Sequence, residues 1–113
     1  MQYMLLIYDN QAGSRSAAEL SKLHDEYLAF TQGIIKNGNF KGGDALEPST
    51  TATTVKVRDG KTLMTDGPFA ETKEQIVGYY IVEARDLDEA AAIASRIPTA
   101  RTGGIEVRPV RKM

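Results

Sequence analysis

"YMLLIYD" (residues 3–9) decides the fold. Successive side chains of a strand face opposite sides, so Tyr3, Leu5 and Ile7 share one face and Met4, Leu6 and Tyr8 the other. Both faces are apolar. A strand of this kind belongs in the middle of a sheet with both sides covered, and the rest of the chain has to supply the cover.

The elements after it can be read in order. Ser16 followed by Glu19 is a capping-box pair, in which the hydroxyl accepts a helix N–H and the carboxylate reaches back to the cap. Leu20, Leu23, Tyr27, Phe30 and Ile34 then recur at steps of three and four, which predicts a helix of about five turns ending at "KNGN" (36–39), where Gly38 supplies the stop. "FKGGDAL" (40–46) reads as a short strand or strand edge weakened by two glycines, followed by a loop through Pro48. In "TTVKVRDGKTLMTDG" (53–67), Thr53, Val55 and Val57 alternate with Thr54, Lys56 and Arg58 around Asp59-Gly60, a preferred two-residue turn. That is a hairpin with one polar, solvated face. "VGYYIVEA" (77–84) is another strand that is apolar on both sides. "DLDEAAAIASRI" (86–97) is a helix with acidic residues in its first turn and Arg96 in its last, ended by Pro98. "GIEVRPV" (104–110) is the last strand, and Pro109 places it at a sheet edge or at its own end.

This order is an α+β, ferredoxin-like βαββαβ plan with an extra β-hairpin, filling residues 1–113 as one domain. Both helices cover one face of such a sheet. Nothing in the chain remains for the other face, so the expectation is a homodimer packed sheet to sheet, stabilised by apolar burial at about 25 cal/mol per Å².

Composition removes several function classes. Hydrophobic residues make up 42% of the chain and charged residues 26%, the balance of a folded globular domain. The formal net charge of −1 offers no field for a nucleic-acid backbone. The early apolar run is far short of the ~20 residues that span a bilayer and lacks the flanks of a leader, so no membrane association and a cytoplasmic location are expected. There is no cysteine and a single histidine, His24, which excludes disulfides, thiolate chemistry and histidine-rich metal sites. Neither a metal nor another cofactor is expected.

Five stretches carry a resemblance: "MQYMLLIY" (1–8), "GGDALEP" (42–48), "ATTVKVRDGK" (52–61), "DGPFAETKEQIVGYYIV" (66–82) and "IEVRPV" (105–110). Together the chain resembles the YCII-related family, in the branch named for its DGPF motif. The resemblance implies a dimeric α/β barrel of ferredoxin-like subunits and gene neighbourhoods that often include alternative sigma factors. In the other branch a site is placed in a cleft around a His-Asp pair. Its histidine lies about three turns before the glycine that ends the first helix, a position held here by Tyr27. His24 lies one turn earlier, about 5.4 Å along the helix.

The loop "DGPFAETKE" (66–74) reads in two ways. Asp66, Gly67 and Pro68 are ordinary turn residues, and Phe69 is able to plug the end of the core. The loop also gathers Asp66, Glu71, Lys73 and Glu74 around one aromatic and is longer than a connection requires. His24 is the natural general acid or base near neutral pH, although "KLHDEY" is a polar stretch in which a histidine is commonly just solvated.

Two functions follow. One is a non-catalytic dimeric module that binds a small ligand or acts in regulation near sigma-factor systems, with Tyr8, Tyr27, Gly67, Pro68, Phe69 and Glu74 lining its site. The other is a cofactor-free lyase, isomerase or hydrolase with Asp66 as base and His24 or Lys73 as acid or electrophile. Tyr27 at the histidine position favours the module.

Overall fold

A computed structural model describes residues 1–11 and 13–113. Strand β1 (Gln2–Asp9) leads to helix α1 (Ala17–Lys36) and strand β2 (Phe40–Ala45). Strands β3 (Thr53–Arg58) and β4 (Lys61–Asp66) form a hairpin, followed by β5 (Gln75–Glu83), helix α2 (Leu87–Ser95) and β6 (Gly104–Pro109). The four long-range strands make one antiparallel sheet in the order β2-β5-β1-β6, and β3-β4 form a separate pair. With the hairpin set aside this is the ferredoxin-like arrangement, with β1 central as its two apolar faces require. Among the described residues the sheet is open; it does not close into a barrel.

Local signals set the helix ends. The Ser16 hydroxyl accepts from the Glu19 N–H at 3.1 Å and the Glu19 carboxylate accepts from the Ser16 N–H at 3.1 Å, the reciprocal pair expected. At the other end Asn39 N–H bonds to Ile34 O and Gly38 N–H to Ile35 O, a Schellman closure that needs the φ of +80° at Gly38. Helix α2 stops at Ser95, with Arg96 as its cap, earlier than residue 97. Pro98 does not itself end α2. It opens a 3₁₀ turn, Pro98–Arg101, because its fixed φ suits a first helical position.

The core lies between sheet and helices. Tyr3, Leu5 and Ile7 of β1, Tyr80 and Val82 of β5, Ile34 of α1, and Ala90 and Ile93 of α2 are buried together. On the opposite side of the sheet, Met4, Leu6, Tyr8, Tyr79 and Ile81 are only half-buried. Gly43 of β2 sits where a Cβ would come within 2.7 Å of the Tyr79 carbonyl oxygen and 2.8 Å of the Tyr80 ring, so only glycine allows this approach of β2 to β5. The hairpin departs from expectation. Asp59 (φ +53°) and Gly60 (φ +74°) form the tight turn, yet both faces of the pair are exposed, Val55, Val57 and Met64 included, because β3 and β4 bond to each other and not to the main sheet. No helix among the described residues is long and apolar enough to cross a membrane.

Candidate functional site

The apolar stripe of α1 does two jobs. Its C-terminal part packs on the core through Phe30 and the buried Ile34, whereas Leu20, Leu23, His24, Tyr27 and Leu28 line a cavity of about 570 Å³ between the helix and the ends of β1, β2 and β5. Ile7, Leu46 and Val77 complete its apolar wall. Val77 gets there through a bulge: Ile7 pairs with Gly78 and Tyr8 with Ile76, leaving Val77 unpaired and turned to the helical side.

The polar groups of this cavity arrive from several parts of the fold. Asp9 continues the inward parity of Tyr3, Leu5 and Ile7, and is 4% exposed. It accepts from Arg15 Nη1 at 2.7 Å, from Arg15 Nη2 at 3.5 Å and from the Gln11 N–H at 3.0 Å. Burial alone would push the Asp9 carboxyl up, but the Arg15 hydrogen bonds and charge, with the Gln11 and Asn10 amides, hold it below its ordinary value. Asp9 is therefore a stable anion. The Tyr27 hydroxyl lies 2.5 Å from Thr99 Oγ1, and Thr31 Oγ1 lies 2.7 Å from the Tyr80 hydroxyl. Burial raises the pKa of both phenols, against the hydrogen bonds from Thr99 and Thr31, so each stays protonated. Asp44 at the rim accepts the Tyr79 hydroxyl at 2.9 Å.

The 66–74 loop forms a different place. Asp66 ends β4 opposite Thr53, is exposed, and its carboxylate has no hydrogen bond among the described residues. Gly67 (φ +106°) closes the hairpin base: its N–H donates to Ala52 O at 2.7 Å and its carbonyl accepts from Thr54 Oγ1 at 2.8 Å. Phe69 does not plug the core. It is 78% exposed and lies under the Lys56 ammonium, 5.2 Å from the ring centre. Tyr8, Pro68, Phe69 and Glu74 line a second cavity, of about 580 Å³.

The residues singled out in the sequence thus divide. His24 and Tyr27 share the α1 cavity; Tyr8, Pro68, Phe69 and Glu74 share the loop cavity; Asp66, Gly67 and Lys73 line neither. Asp66 is not brought beside His24 or Tyr27. Asp9, Arg15, Thr31, Tyr80 and Thr99 are site residues that the sequence reading passed over. Strand parity could have found Asp9, the one carboxylate on the inward side of β1. Thr99, placed by a 3₁₀ turn, has no comparable signal.

Fold and site together define a ferredoxin-like α+β domain with a ligand-sized hollow on its helical side. The chain belongs to the YCII-related domain family, whose model matches residues 1–113. It is 34% identical over 114 residues to an uncharacterised protein of Rhizobium meliloti (strain 1021), an alignment that covers 97% of this chain and 92% of that one.

Proposed function

We propose that this domain binds a small molecule in the cavity beside α1, and that it does so as a homodimer of the DGPF branch. The observation that carries the binding reading is the cavity itself: about 570 Å³, apolar over most of its wall, with hydroxyls and one buried ion pair converging on it. Support for the dimer comes from the open side of the sheet, where Met4, Leu6, Tyr8 and Ile81 are only half-buried. Two such sheets face to face would make the α/β barrel that one chain lacks. Support for the branch is the DGPF sequence at residues 66–69. Acid–base catalysis by Asp66 with His24 or Lys73 gains no support, since Asp66 lines neither cavity.

A thermal-shift screen with a metabolite library tests the binding reading. At least one compound should raise the melting temperature of the natural protein and fail to raise that of Leu20→Trp, which fills the cavity mouth from an exposed position. A library-wide absence of shifts, or shifts that survive Leu20→Trp, would remove the reading. Light scattering should give twice the 12.4 kDa chain mass at micromolar concentration, and a stable monomer would overturn the dimer.

A further inference from the structure

We infer that the ligand of the α1 cavity is uncharged, largely apolar and equipped with a hydrogen-bond acceptor, an inference that rests on the binding reading above. It starts from the two hydroxyl pairs. A hydroxyl has one proton and two lone pairs, so two hydroxyls joined by one hydrogen bond keep one proton unspent. Tyr27 with Thr99 is one such pair and Thr31 with Tyr80 the other; among the described residues none of the four hydroxyls has a second side-chain hydrogen bond. Thr99 is 2% exposed, and Tyr80 is buried as well. An unspent donor in such surroundings costs more than an unfilled lone pair, so each pair asks for an acceptor from whatever fills the cavity. Tyr27 and Thr31 are one helical turn apart on the same face of α1, with Cβ atoms roughly 5–6 Å from each other.

Charge supplies the second restriction. The ionisable residues of the wall are Asp9, Asp44, Arg15 and His24, but the Asp44 carboxylate is drawn to the Tyr79 hydroxyl on the open side of the sheet. Asp9 and Arg15, the ion pair beneath the surface, offset each other's charge. Arg15 is already engaged by Asp9 and Thr102, so an anion finds this guanidinium spent and a buried carboxylate beside it. An ammonium group brings donors only and leaves both hydroxyl protons facing it unspent. What satisfies wall, protons and charge together is a neutral apolar body with a carbonyl, ether or ring-nitrogen acceptor.

The test uses the naphthyl ketone dye prodan as reporter and three competitors with one ring system: 1-acetylnaphthalene, 1-naphthoate and 1-naphthylmethylammonium. The ketone should displace prodan with an affinity about tenfold or more above the anion and the cation. Removing a whole pair, with Tyr27→Phe/Thr99→Val or, independently, Thr31→Val/Tyr80→Phe, should weaken the ketone about two- to tenfold and leave naphthoate unchanged. Equal or tighter binding of naphthoate or the ammonium overturns the class while the binding reading stands, as does a loss shared equally by all three competitors in both double variants. Prodan that does not bind, or binds Leu20→Trp unchanged, overturns the binding reading and this inference with it.

Discussion

The two cavities differ little in size, about 570 and 580 Å³, and share Leu46 and Pro48 in their walls, yet they are built by opposite means. The α1 cavity draws on β1, α1, β5 and the turn after α2, and its polar groups are tied to one another beneath the surface. The loop cavity is made largely of two loops, residues 46–52 and 68–74, with Phe69 and Glu74 exposed. Motif density marks the second and chemistry favours the first. A loop rich in turn residues can owe its composition to the turn, whereas buried polar groups persist only where partners offset their desolvation.

The contrast is open to attack at four positions. The largest effect is expected at Arg15, whose side chain is 11% exposed against Asp9. Arg15→Leu leaves the Asp9 carboxylate buried without its partner, and urea denaturation at pH 7 should show a loss of about 3–5 kcal/mol. The pH dependence has a definite sign. Since the folded Asp9 carboxyl is held below its unfolded value, the stability it contributes is complete above about pH 4 and is lost as pH falls through the folded pKa. The gap between natural protein and variant should therefore be full at neutral pH and narrow in acid. A gap that widened below pH 4 would mean that the pair does not stabilise the fold.

A smaller loss, about 1–3 kcal/mol, is expected for Gly43→Ala, because the new methyl group meets the Tyr79 carbonyl and the Tyr80 ring. Tyr80 carries one of the cavity hydroxyls, so this variant should also weaken any ligand found by the thermal-shift screen. Unchanged affinity would separate Tyr80 from the site. Gly60→Val places a β-branched side chain at φ +74° and should cost about 1–2 kcal/mol within the hairpin. That cost should show as faster amide exchange over residues 53–66, with little movement of the global melting temperature, since both faces of the arm are exposed. A large drop in melting temperature would reveal that the arm is packed against something in solution. Asp66→Asn comes last. With an exposed, unbonded carboxylate it should leave stability within about 0.5 kcal/mol and ligand affinity untouched. Lost affinity with intact stability would return the function to the loop.

Much of this architecture is legible in the chain because its signals act over a few residues. The two-faced run at 3–9 sets β1 at the centre, Ser16 and Glu19 start α1, Gly38 ends it, and Asp59-Gly60 turns the hairpin. Each of these follows from periodicity, a cap or an allowed φ, and each holds wherever the segment packs. The independence of the hairpin was not legible, since alternation identifies a pair of strands without saying which sheet they join.

The site was legible only in part. His24 and Tyr27 stand out as residue types, and Asp9 is recoverable from strand parity, but their partners come from far along the chain: Thr99 is 72 residues from Tyr27, and Tyr80 is 49 from Thr31. By itself the sequence determined the family, the order of elements and the one-sided cover that leaves a sheet face open. Tertiary structure alone decided that His24 lines a hollow from which Asp66 is absent, and that four hydroxyls and an ion pair line that hollow. The physical reason is that turns and caps are set by neighbours in the chain, whereas a shared cavity is set by how far a helix stands from the strands beneath it.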